Sequence, residues 1–139
     1  MSNFAFLAGL TNFKMFAAAA IEAEKVYATS PAMCAIGCRK ALELAVKWVY
    51  AADKTIEMPY RDNLQSLIHE PSFKDAVDER TWVKLPYIIK LGNLAVHTEK
   101  NVRPEEVIFS LKGLFEFIQW IIYCYGSDEE RFFDEKLIP

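Results

Sequence analysis

Three side chains able to move a proton or steady a phosphate stand close together in the stretch Ile88-Ile89-Lys90-Leu91-Gly92-Asn93-Leu94-Ala95-Val96-His97. Successive residues of a helix are about 100° apart, so Lys90, Asn93 and His97 share a wedge about 60° wide. Histidine titrates near neutrality, an amide can orient it, and an ammonium can hold an anionic oxygen. Phosphodiester cleavage by general acid–base catalysis is the chemistry such a trio could perform. A structural use is the competing reading. His97 is one of only 2 histidines. The other, His69, precedes Glu70-Pro71 and reads as a surface residue at a helix end, where a protonated ring suits the helix dipole.

A second polar pair, Arg39 and Glu43, is spaced one helical turn apart. On a solvated face such a pair contributes little. If it faces Asn93 and His97, the four form a structural polar cluster, with Arg39 as donor and Glu43 as acceptor. A buried His97 would then need both ring nitrogens satisfied, with Asn93 or Glu43 as partner. Gly92 lies between the apolar and polar faces of its stretch. Glycine destabilises a helix interior by roughly 1 kcal/mol against alanine, and close approach of another backbone is one reason to keep it, so close helix packing is expected at Gly92.

The rest of the sequence offers no other chemistry. It contains no Walker phosphate loop, dinucleotide glycine fingerprint or nucleophile elbow, and no paired-carboxylate motif with metal-nuclease spacing. Cys34 and Cys38, one turn apart, are poorly placed for a disulfide. With Cys124 they fall short of a zinc set, so no metal site is expected. They read as buried thiols in a reducing cytoplasm.

The elements that must position these residues are helices. A first helix is predicted over about Asn12 to Ala28, capped by Thr11 or Asn12, with Glu22, Glu24 and Lys25 on its wet side. Ser30-Pro31 opens a second, running to about Ala52. Two short helices are expected near Asp62 to His69 and Ser72 to Val77. A third long helix is predicted from Asp78-Glu79 to His97, either kinked at Pro86 or broken and restarted there. Thr98 to Arg103 reads as a polar loop. Pro104, followed by Glu105 and Glu106, opens the last helix, which is apolar nearly all round and ends at Gly126. The expected fold is all-α: an antiparallel four-helix bundle with two additional short helices. Residues 1–126 would form that domain. The acidic and aromatic tail, residues 127–139, would be a linker into a following domain.

Composition narrows the class. With 53% hydrophobic residues, the 139-residue chain has material for one real core. Its net charge of −3 is no footprint for strong non-specific nucleic-acid binding. No signal peptide is expected, because Met1-Ser2-Asn3 lacks a basic region, and Val107 to Tyr125 is interrupted by Lys112, Glu116 and Gln119, so no membrane span is expected. A cytoplasmic protein is expected.

The opening Ser2-Asn3-Phe4-Ala5-Phe6-Leu7-Ala8-Gly9, the block Leu91-Gly92-Asn93-Leu94-Ala95-Val96-His97 and the Arg39-x-x-x-Glu43 pair together resemble one family. They are similar to the amino-terminal region of the R (restriction and translocation) subunit of type I restriction-modification enzymes, from Ser2 to about Tyr125. The resemblance implies a helical module ahead of a nuclease domain and an ATP-driven translocase motor, working with modification and specificity subunits on DNA. ATP and Mg2+ would belong to those other domains, with no cofactor in this stretch. Related helical domains with a Gly-Asn-x-Ala-His pattern look like the HEPN group, some of whose members are ribonucleases. By that resemblance the alternative catalytic set is His97, Asn93 and Lys90, although Ile89 stands where a basic residue is often found.

Overall fold

The computed structural model describes residues 2–97, 102–127 and 129–139, and every regular element among them is helical. The α-helices are α1 (Lys14–Lys25), α2 (Pro31–Ala52), α3 (Leu64–His69), α4 (Pro71–Ala76), α5 (Glu79–Trp82), α6 (Leu85–His97) and α7 (Pro104–Tyr125). Single 3-10 turns occupy Ala5–Gly9, Thr11–Phe13 and Glu135–Leu137. The chain is all-α. Most of the loop expected over 98–103 lies outside the described residues.

Helix starts follow local chemistry. The Ser30 hydroxyl accepts from the Met33 N–H at 3.2 Å, and Pro31 fills the first helical position of α2. Asn63 caps α3 through the Ser66 N–H at 2.9 Å. Pro104 opens α7, and the Glu106 carboxylate reaches back to the Arg103 N–H at 3.3 Å. The entry to α1 differs from the expectation. Neither Thr11 nor Asn12 caps it through a side chain; the 3-10 turn at Thr11–Phe13 leads in, and the Asn12 carbonyl accepts from the Trp48 indole at 3.0 Å. The long helix expected from Asp78 to His97 is broken rather than kinked. α5 ends at Trp82, and α6 restarts at Leu85. Pro86 thus falls in the first turn of α6, where its missing N–H has no intrahelical partner to lose.

α1 and α2 run antiparallel. Phe13 and Trp48 meet at a tilt at one end, with ring centres 5.1 Å apart. At the other, a Cβ on Gly37 would lie 2.9 Å from Ala23 Cβ. α6 and α7 are also antiparallel: Lys84 pairs with Glu116, and Tyr87 meets Phe109 edge to face at 4.8 Å. α7 is long and apolar enough to cross a membrane by composition, but 56% of that window is buried inside this fold. Val107, Leu111, Leu114, Ile118 and Ile121 are fully enclosed, so α7 is a core helix.

Residues 129–139 pack against this body. Phe133 packs edge to face on Phe115 at 5.8 Å, and the Arg131 guanidinium lies 4.1 Å over the Phe6 ring. The Asp134 N–H donates to Asn3 at 2.7 Å, and Asn3 Nδ2 donates back to the Asp134 carbonyl at 2.9 Å. Partial burial of Phe133, with the hydrogen bonds to Asn3, is the physical reason an acidic tail packs here.

Candidate functional site

The Gly-Asn block lies on α6, and its glycine meets α2. A Cβ on Gly92 would stand 2.6 Å from Arg39 Cβ, 2.9 Å from Arg39 Cδ and 3.2 Å from the Ala35 carbonyl oxygen. No side chain fits there without moving a neighbouring helix. The aliphatic stem of Arg39 therefore lies across Gly92, which brings two of the sequence-predicted residues into contact. Arg39 Nε is enclosed and has no hydrogen-bond partner among the described residues, a costly condition for a donor unless water or a ligand meets it.

The other members do not close into a cluster. The Glu43 carboxylate takes Lys47 Nζ at 3.1 Å, one turn along its own helix, rather than Arg39, Asn93 or His97. Lys47 follows Glu43 in the favourable i, i+4 order. Asn93 is half-buried; Lys90 and His97 are exposed. No hydrogen bond joins Arg39, Glu43, Asn93 and His97 to one another among the described residues. His97 ends α6 and projects into solvent, so its ring needs no internal partner. The wedge of Lys90, Asn93 and His97 is an open helix face.

A different polar centre, missed in the sequence, is fully built. Glu24 is 0% exposed, although it reads as part of a wet face. Its carboxylate accepts three hydrogen bonds: from the Asn3 N–H at 3.0 Å, from Asn3 Nδ2 at 2.8 Å and from the Phe4 N–H at 3.1 Å. Asn3 then continues to Asp134, so one amide ties α1 to both ends of the chain. A signal was present: Glu24 follows Phe16, Ala17 and Ala20 at helical spacing and therefore lies on the buried stripe of α1. Cys38, enclosed nearby, has its thiol pushed well up, first by its hydrogen bond with Cys34 and then by burial and by Glu24. Cys34 is buried too, but Cys124 is exposed at the end of α7 rather than buried as expected.

A third polar contact joins the end of α2 to the end of α7. The Tyr125 hydroxyl donates to Asp53 at 2.6 Å. Hydrogen bonds from Thr55 and then from Tyr125 hold the Asp53 carboxyl below its ordinary value, while burial and Asp53 push the Tyr125 phenol up. Among the described residues no three His, Cys, Asp or Glu side chains converge in a way that could hold a metal.

The family model described as "Domain of unknown function (DUF4145)" matches residues 21–130. The chain belongs to that family. No curated protein and no solved structure matches it. The DUF4145 match contains Glu24, Arg39 and Gly92 but begins after Asn3 and Phe4 and ends before Phe133 and Asp134. In this DUF4145 chain the segments that satisfy and cover Glu24 therefore lie outside the matched stretch.

Proposed function

We propose that this chain is the amino-terminal helical module of a type I restriction enzyme R subunit, with a structural and interaction role and no catalysis of its own. The observation that supports it most is the contact between Arg39 and Gly92. Two segments that carry the resemblance, distant in sequence, are used to pack one helix on another. A third, the opening stretch, is used to satisfy Glu24. Residues engaged in holding helices together are accounted for without chemistry. The four long helices, α1, α2, α6 and α7, are read as a HEPN-like antiparallel four-helix bundle. The complete protein would act in the cytoplasm, cleaving and translocating DNA with ATP and Mg2+ held in its other domains. Its partners would be the nuclease and motor domains of the same chain and the modification and specificity subunits.

The coding sequence downstream of Pro139 tests this. A nuclease domain followed by a Walker-type motor in the same frame is expected; a frame without either overturns the assignment.

One observation favours a second reading, a HEPN-type ribonuclease using His97 as general acid or base. His97 and Lys90 are exposed, with Asn93 between them on the same face. Such an enzyme would pair two copies of that face across a dimer. A chain that sediments as a monomer with RNA present, and leaves the RNA intact, removes this reading.

A further inference from the structure

Two clefts away from the α6 face run into each other along the C-terminal half of α7. One, of about 640 Å³, lies between α7 and the returning tail. The other, of about 730 Å³, lies between α7 and the segment carrying α4 and α5. Asp78, Trp120 and Tyr123 line both, so the two form one continuous groove.

The groove is aromatic where it is open. Tyr123 is 69% exposed, Phe132 is 78% exposed, and Trp120 is half-buried beside them. Large rings gathered at one exposed place mark interaction surfaces more often than scattered ones do. Its rim is acidic. Asp75, Asp78, Glu79 and Glu130 are exposed and hold no ion pair among the described residues. The cations nearby are mostly engaged. Lys74 lies 4.3 Å over the Trp82 ring, Arg131 bonds Glu129 at 3.1 Å, and Lys84 is paired with Glu116. Lys112 is the remaining lining cation.

Carboxylates attract a cation through its charge, and ring faces attract it through their quadrupole. This surface already holds a lysine on a ring, at Trp82. We propose that the groove docks an extended basic segment of a protein partner. An arginine or lysine would lie over Trp120 and Tyr123 within reach of Asp78 and Glu130, and an apolar neighbour would cover Phe132. The acidic rim repels phosphates, so a nucleic acid is the disfavoured occupant.

The test is a nuclear magnetic resonance titration of the 139-residue chain. The probes are two blocked peptides, Leu-Arg-Phe-Arg-Leu and Leu-Glu-Phe-Glu-Leu. The basic peptide is expected to shift the Trp120 indole signal and the amides of Asp78 and Tyr123, and the acidic one to leave them in place. Neutralising two rim charges together, Asp78→Asn with Glu130→Gln, should weaken the basic peptide roughly fivefold, the size of losing two exposed ion pairs. Tyr123→Ala provides an independent variant at an exposed position and should weaken it too. Equal shifts with both peptides overturn the proposal. So do shifts centred elsewhere on the chain, or no shift at about 1 mM basic peptide, the weak end of measurable affinity.

Discussion

Glu24 and His97 are both polar side chains in the last turn of a helix, and the molecule uses them in opposite ways. Glu24 is shut away from water, and two backbone N–H groups and one side-chain amide meet its oxygens. His97 stands in water at the end of α6, and the carboxylate expected to meet it, Glu43, is engaged with Lys47. The difference lies in what each helix is covered by. The amino-terminal segment and the tail close over the end of α1, so a charge there has to be satisfied from within. The polar face of α6 is left open, and the helix joins the fold through its other side, where Leu85, Ile88, Ile89 and Leu91 are buried and Gly92 lets α2 approach closely.

The largest expected effect breaks the closed end. Glu24→Ala strands three donors away from water and should lower the unfolding free energy by roughly 3 kcal/mol, read from urea denaturation. It should also open residues ahead of α1 to proteolysis. An unchanged midpoint would mean that the three hydrogen bonds are replaced by water without penalty.

Gly92→Ala probes the other end at its backbone. The new Cβ would sit 2.6 Å from Arg39 Cβ, on the stem of that side chain rather than its flexible tip. A loss of roughly 1–3 kcal/mol is expected, although alanine favours the helix by about 1 kcal/mol. Gly9→Ala, with nothing within 4 Å, is the control and should melt with the wild type. Equal behaviour of the two would remove the close crossing.

Tyr125→Phe tests the contact between the ends of α2 and α7, at Asp53. At neutral pH the loss should be about 1 kcal/mol or less, since the pair is only part-buried. The pH dependence has a defined sign. The Asp53 carboxyl is held below its ordinary value, by Thr55 and then by Tyr125. Its contribution is therefore present above the unfolded value, about 3.9, and is lost as pH falls through the folded value. Asp53→Asn should flatten the acid-induced loss of stability below about pH 4, and an acid profile identical to wild type would show that the contact contributes nothing.

The smallest effect sharpens the comparison. His97→Ala should change stability by less than about 0.5 kcal/mol, as for an exposed residue with no special feature. A loss above 1 kcal/mol, read in the same urea series as Glu24→Ala, would mean that His97 is tied into the fold after all.

The all-α class was legible because capping and breaking residues were explicit. Ser30-Pro31, Pro104 and Gly126 bracket the two 22-residue helices closely. Pro86 left two outcomes open, because a proline marks an interruption without saying whether the helix bends or restarts. Tertiary satisfaction was not legible. Glu24 sits on the apolar stripe of α1, but nothing in the neighbouring residues says that Asn3, 21 positions earlier, will reach it. Lys47 as the partner of Glu43 was available at the correct spacing, and the expectation of a contact with His97 passed over the nearer cation. The packing of the acidic tail was not legible either, because Asn3 and Phe115, which receive Asp134 and Phe133, are remote in sequence.

The most direct test of a non-catalytic role is an RNA-cleavage time course with the purified chain, wild type beside His97→Ala. The expected result is intact RNA with both proteins at every time point. Cleavage by the wild type that disappears in His97→Ala would contradict the structural role and make the open face of α6 an active site.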